Sequence, residues 1–136
     1  MSYALSGVLQ TAIYDALVTD ATLSALVGTD VYDAVPTGNL PDTYVRLGGE
    51  QVRDASDQTG NGALHTLDIS VFTSQPGFSG AKAVATAVSD ALQDADLSLS
   101  RGRLVYLRFQ RAEARRVDKN AVREIRMRFR ARVEDE

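Results

Sequence analysis

Hydrophobic and polar residues alternate strictly near the C-terminal end of the chain. Every second residue from Ile125 to Val133 is apolar. The positions between them hold arginines, namely Arg126, Arg128, Arg130 and Arg132. A period of two predicts a strand with one buried face. A row of guanidinium groups repels itself unless it is solvated or meets acidic partners, so the second face is predicted to contact something.

Two amphipathic helices are predicted by apolar stripes with helical spacing. The first covers roughly residues 3–18, and the second follows Pro76-Gly77 and runs to about residue 93. Between them, Asp20 is predicted to cap a short helix that Gly28 ends.

The remaining segments predict strands and turns. A short strand is expected at Val31–Tyr32, and longer ones at residues 43–48, 63–73 and 103–111. Residues 49–62 are polar and rich in Asp and Gly, which is typical of a long mobile hairpin loop. Asp118-Lys119-Asn120 supplies turn chemistry before the arginine-striped strand.

The order of these elements is helix, helix, strand, strand, helix, strand, strand. Consecutive strands joined by turns form antiparallel hairpins. We therefore expect an α+β fold, in which an antiparallel sheet of four strands, or slightly more, carries two main helices on one face. The length of 136 residues predicts a single domain over residues 1–136.

Charge is distributed unevenly along the chain, although the net charge is only -3. Residues 1–100 carry three basic and twelve acidic groups, whereas residues 101–136 carry twelve basic and six acidic groups. Such asymmetry suggests either nucleic acid or a complementary partner, for which the acidic half of a neighbouring copy is a candidate. A head-to-tail contact of that kind can close a ring.

Candidate chemistry is sparse. The only histidine, His65, shares parity with Leu67 and Ile69 and is expected to be half-buried in a strand. One histidine without cysteine supplies neither a catalytic triad nor a zinc site. The spacing of oxygen ligands from Asp54 to Gly62 is not that of an EF-hand. We expect no enzyme, no cofactor and no metal, and the chain has no apolar run long enough to predict a membrane span.

Ordered segments of the chain resemble small phage tail-completion proteins, the tail terminators of long-tailed phages. The resemblance begins with the short helix and loop of residues 23–36 and continues through P-D-T-Y-V-R-L-G at residues 41–48. It then includes residues 62–73, the helix of residues 79–92 and the last two strands. Asp42-Thr43 separates Pro41 from Tyr44, where the family pattern has the proline and tyrosine adjacent.

This resemblance implies a structural protein of a virion tail. Such proteins cap the tail tube as a ring, usually of six copies, at its head-proximal end. They end tube polymerisation and offer a surface to connector or stopper proteins, and DNA passes through the ring without specific binding. The particle is expected to be a phage or a domesticated relative such as a gene transfer agent, made in the bacterial cytoplasm.

The residues expected at subunit or tail interfaces combine the arginine stripe with charged residues nearby. They are Arg126, Arg128, Arg130, Arg132, Arg108, Asp68, Arg53, Asp54 and Asp57. Two alternatives stay open. One is a head-tail connector or stopper component, and the other is a nucleic-acid-binding module, for which interleaved acids and few aromatic residues are unfavourable.

Overall fold

The computed structural model describes residues 3–58, 60–117 and 122–135. The helices are α1 (Ser6–Thr19), α2 (Ala21–Val27) and α3 (Ser79–Leu92). The strands are β1 (Val31–Tyr32), β2 (Thr43–Asp54), β3 (Asn61–Thr73), β4 (Arg103–Arg116) and β5 (Arg123–Asp135). The predicted turn at Asp118-Lys119-Asn120 lies outside the described residues.

The strands form one five-stranded sheet in the order β1-β2-β3-β5-β4. All neighbours are antiparallel except β1 and β2, which are parallel because residues 33–42 carry the chain back to the start of β2. The α+β fold predicted from the sequence is confirmed, with five strands and a third, short helix. The arginine-striped strand β5 lies between β3 and β4, inside the sheet.

The core lies between the helices and one face of the sheet, which we call the inner face. Helix α1 buries Leu9, Ile13 and Leu17, and α3 buries Val84, Val88 and Leu92. Both sets follow the helical spacing seen in the sequence. They meet the apolar side chains of β3 and β5, where Phe129 is fully buried. Each such side chain contributes about 1.5–3 kcal/mol through removal from water.

Local signals at the helix ends act as expected for α2. The Oδ2 of Asp20 accepts a hydrogen bond from the backbone N–H of Leu23 at 2.9 Å, and Gly28 ends the helix at φ +59°. Helix α1 starts at Ser6, three residues later than predicted. Within the described ranges, no helix has the length and apolar character that crossing a membrane requires.

The loop predicted at residues 49–62 is much shorter in the structure. Strand β2 continues to Asp54 and β3 begins at Asn61, so only residues 55–60 connect them. In this extended ladder Val52 pairs with His65 and Arg53 pairs with Leu64, although the polar composition of the segment predicted a loop. Backbone hydrogen bonds, such as Ala55 N–H to Gly62 O at 2.9 Å, close the hairpin. The mobility of the remaining loop stays a prediction.

A bulge at Gly48-Gly49 changes which face β2 presents. Leu47 pairs with Ile69 and Glu50 pairs with Leu67, so β2 carries one extra residue between the two pairs. A Cβ on Gly48 would lie 3.0 Å from the carbonyl oxygen of Asp68, which favours glycine at this position. The bulge turns the side chain of Glu50 to the inner face, whereas strict alternation would place it on the opposite face.

Candidate functional site

The four arginines of β5 lie on the outer face of the sheet, opposite the helices. Their neighbours Met127, Phe129 and Ala131 are buried on the inner face, whereas the arginines are partly exposed. Alternation along a strand fixes this arrangement. The predicted one-sided stripe is therefore present in the fold.

Arginines from β2 and β4 extend this outer face. The register places Arg103, Arg108, Arg111 and Arg115 of β4 beside the β5 stripe, and Arg46 and Arg53 of β2 on its other side. The acidic side chains of the same face are Asp68, Glu113, Glu124 and Glu134, the last of which forms an ion pair with Arg103. Ten arginines against four acids give a strongly basic surface, which we call the arginine face. Six of the ten were among the interface residues expected from the sequence, namely the four of β5 with Arg53 and Arg108.

Three of the four β5 arginines have partners within the chain. The Nε of Arg128 donates to the Oδ1 of Asp68 at 3.1 Å, and the Nε of Arg126 donates to the Oε2 of Glu124 at 3.3 Å. The Nη2 of Arg132 donates to the carbonyl oxygen of Ala55 at 3.0 Å and so holds the β2–β3 loop. These contacts fix the arginine side chains on the face, although each remains partly exposed.

Arg130 differs from its three neighbours. Its direct partners in the sheet are Thr66 on β3 and Arg108 on β4. Across residues 3–58, 60–117 and 122–135, no acidic side chain pairs with the guanidinium of Arg130 or of Arg108. The guanidinium of Arg108 lies over the ring of Tyr106, 4.2 Å from its centroid. Like charges directly opposite each other are unfavourable in an isolated sheet, so this pair gains from an acidic partner.

Glu124 is the buried acid of the arginine face, with only 1% of its side chain exposed. It accepts hydrogen bonds from Ser70 Oγ at 2.6 Å and from Arg115 Nη2 at 3.2 Å, besides that from Arg126. Burial alone would raise the pKa of Glu124, but the hydrogen bond from Ser70, the charge of Arg126 and the hydrogen bonds from Arg115 and Arg126 outweigh burial and lower it. Glu124 therefore stays ionised and anchors two arginines.

A second carboxylate, Glu50, lies on the inner face near the sheet edge. It accepts hydrogen bonds from the hydroxyls of Tyr3 and Ser6, and its Oε2 lies 3.4 Å from Nδ1 of His65. Burial raises the pKa of Glu50, but these three partners together lower it. His65 is 1% exposed, so it is more deeply buried than the sequence suggested. Its environment is that of a structural histidine in the core.

The other predicted interface residues lie at one end of β2. Arg53 is on the arginine face, in the same row as Leu64 and Arg132. Asp54 ends β2 and accepts hydrogen bonds from the backbone N–H and hydroxyl of Ser56. Asp57 accepts from the backbone N–H of Gly60 at 2.9 Å. The two aspartates thus shape the hairpin loop, apart from the arginine stripe.

Sequence reasoning missed the carboxylates of Glu50 and Glu124 for different reasons. Glu124 shares parity with Arg126, so its place on the arginine face was readable, but its burial depends on Ser70 from another strand. The orientation of Glu50 depends on the Gly48-Gly49 bulge, for which adjacent glycines in a strand were the available signal.

The arrangement suits binding of a negatively charged partner over a broad surface. Guanidinium groups form forked hydrogen bonds with carboxylates and phosphates. Within the part of the chain that the structure describes, no group of three or more His, Cys, Asp or Glu side chains could hold a metal ion. The guanidinium groups of the arginine face offer recognition by charge.

Comparison with solved structures gives a match over almost the whole fold. A chain from a structure described as the virion of a native gene transfer agent particle is 63% identical to this chain, with a TM-score of 0.93. The match covers 98% of this chain and 99% of the other. No curated protein sequence matches this chain.

Comparison with protein families identifies the chain. The model of the family described as tail completion protein gp17 matches residues 11–134, from the middle of α1 to the end of β5. This match confirms the resemblance to tail-completion proteins that the sequence showed. The family is one of structural virion proteins, which agrees with the expectation that the protein is not an enzyme. The chain belongs to the tail completion protein gp17 family.

Proposed function

We propose that this protein caps the head-proximal end of a virion tail tube as a ring of identical subunits. The ring ends tube polymerisation and forms the tail side of the joint to the head. Membership of the tail completion family supports this role. The 63% identity to a chain of a gene transfer agent virion supports a particle of that kind.

The observation that carries the assembly role is the arginine face. Ten arginines share one sheet surface with four acids, and one of those acids is buried. Within the described part of the subunit, no acidic side chain neutralises the opposed pair Arg108 and Arg130. An acidic surface of a neighbouring or stacked subunit would neutralise it. Exposed pairs contribute only about 0–1 kcal/mol each, so apolar packing must supply most of the affinity, and the charges give specificity.

The proposed partners follow from this position. They are other copies of the chain, in a ring for which six is the expected number, the tail tube protein below it, and a connector or stopper protein above it. DNA passes through the ring during ejection. We propose that the full arginine face does not line the channel, because a strongly basic lumen would retain DNA.

Locating the protein within the particle tests this proposal. Antibody–gold labelling of intact particles, viewed by electron microscopy, should place the label at the junction of head and tail. Particles that lack the gene are the control for the antibody. Label along the whole tail or at its distal tip would contradict the proposal.

A second candidate, nucleic-acid binding, is favoured by the same arginine face. It predicts a DNA affinity that falls steeply with salt, since each neutralised phosphate releases counterions. Titration of fluorescent duplex DNA at two salt concentrations distinguishes the two functions. Little binding at either salt concentration would support the assembly role.

A further inference from the structure

The distal half of β4 forms an open edge of the sheet. Residues Arg108–Arg116 are exposed on both faces, and β4 is the last strand in the sheet order. The segment after α3 covers only its first part, where Asp94 N–H donates to Leu107 O at 2.9 Å and Phe109 N–H donates to the Oε1 of Gln93 at 2.8 Å. Beyond Phe109, no described residue pairs with this edge.

The register shows which backbone groups point outwards. Leu107 and Phe109 bond to the segment after α3, so they face away from β5. A one-residue bulge follows Phe109, which makes Ala112 and Ala114 the next outward residues. Val117, whose N–H bonds to Val122 O at 2.8 Å, faces β5 as this alternation requires. An open edge with free N–H and C=O groups is a template for another strand.

The opposite side of the sheet has a matching open edge. Strand β1 pairs only with Val45 and Arg46 of β2. Beyond the glycine bulge, the same alternation directs the backbone groups of Glu50, Val52 and Asp54 outwards. The open stretch of β2, residues 50–54, is as long as the open stretch of β4, residues 112–116.

We propose that β4 of one subunit pairs with β2 of the next subunit, so that the sheet continues from copy to copy around the ring. This inference rests on the proposed ring. In the strand order, β2 and β5 run one way, and β3 and β4 run the other. Side-by-side continuation therefore places β4 antiparallel to β2 of the neighbour, the arrangement in which both open stretches can form ladder hydrogen bonds.

Charge selects one register for this contact. With Ala114 opposite Val52, Glu113 lies opposite Arg53 on the outer face, and Arg116 lies opposite Glu50 on the inner face. A shift of two residues in either direction places Arg111 or Arg115 opposite Arg53. Like charges directly opposite each other are destabilising, and opposite charges contribute about 0.2–1 kcal/mol. Two β4 strands could also pair with each other, since Ala112 opposite Ala112 places Arg111 opposite Glu113, so the test has to distinguish this symmetric dimer.

Cysteine pairs test the contact directly, since the chain has no cysteine of its own. The variant combines Glu113→Cys with Arg53→Cys, which the register places about 4.5 Å apart between Cα atoms, within disulfide range. The control combines Glu113→Cys with Gln51→Cys, a diagonal pair at about 7–8 Å. Each variant replaces the wild-type chain in particles. The particles are then oxidised, and their proteins are separated on a non-reducing gel.

The expected result is a ladder of covalent multimers for the matched pair and monomer for the diagonal control. Particles that contain the matched variant at the head–tail junction but yield only monomer would overturn the edge contact and leave the proposed function standing. A dimer from Glu113→Cys alone would also overturn it, because that product requires two β4 strands to meet.

If the cysteine variants stay out of particles, a charge swap decides. Glu113→Arg and Arg53→Glu should each lower incorporation, and the double variant should restore it by exchanging the two charges. A double variant that is incorporated no better than either single variant would overturn the proposal.

Discussion

Ser70 Oγ donates a hydrogen bond to the Oε2 of Glu124 at 2.6 Å, between neighbouring strands on the outer face of the sheet. Both side chains are almost completely buried, at 1% exposure. The carboxylate thereby stays ionised and holds Arg126 and Arg115 in place. The arginine face is thus anchored on a buried acid.

Ser70→Ala should destabilise the protein by about 1.5–3 kcal/mol, since a hydrogen bond to a charged group is removed. The free energy of unfolding in urea measures this effect. Thr66→Ala is the matched control, because Thr66 lies on the same strand and face and no described residue forms a side-chain hydrogen bond with it. Equal stability of the two variants would contradict the anchoring role of Glu124.

Stability should fall in acid. The pKa values of Glu50 and Glu124 are lowered in the folded state, so the unfolded chain binds more protons as the pH drops below about 4.3, the ordinary value for glutamate. Their contribution is complete above that pH and is lost as pH falls through the folded pKa values. Urea unfolding of the wild type and of Glu124→Gln between pH 3 and 7 measures it. The variant should show a smaller drop, and an equal drop would be evidence against the lowered pKa.

Arg130→Glu should separate folding from assembly. The new carboxylate would face Arg108, so the free energy of unfolding should stay within about 0.5 kcal/mol of the wild type or rise. Incorporation into particles should fall about fivefold or more, since about 1 kcal/mol per contact corresponds to such a factor. Quantitative immunoblotting of purified particles measures this.

Lys82→Glu is the control for this charge reversal, because Lys82 is exposed on α3, on the helical side of the sheet. It changes the net charge equally and should be incorporated normally. Normal incorporation of Arg130→Glu would count against the arginine face as an interface.

Gly102→Ala should destabilise the turn before β4 by about 1–3 kcal/mol. Gly102 has φ +65°, and an added Cβ would lie 2.5 Å from Glu134 O and 2.8 Å from a methyl group of Leu5. Gly7→Ala in α1 meets no atom within 4 Å and should stabilise the protein by about 0.5–1 kcal/mol. Thermal unfolding of both variants checks this, and a neutral Gly102→Ala would contradict the close packing of the turn.

The strongest sequence patterns predicted the fold well. Period-two alternation placed β5 and its arginines, and the cap at Asp20 with Gly28 delimited α2. These signals are local, so they can be interpreted without knowing which segments pack against each other. The parallel pairing of β1 could not be predicted, because two residues carry too little pattern to fix a partner.

The extent of β2 and the composition of the arginine face depend on contacts between distant segments. Polar residues 49–54 suggested a loop, but pairing with β3 makes them a strand, and Gly48-Gly49 reverses their facing. Arg53 therefore joins the arginine face, whereas Glu50 turns to Tyr3 and Ser6. Such placements follow from register, which a single sequence does not specify.

The length of tails assembled without this protein tests the central claim most directly. Electron microscopy of particles from cells that lack the gene should show heads without tails, together with free tails of irregular or excessive length. Restoring the gene should return complete particles with one tail length. Free tails of uniform, normal length would contradict a role in ending tube growth and would favour a connector between tail and head.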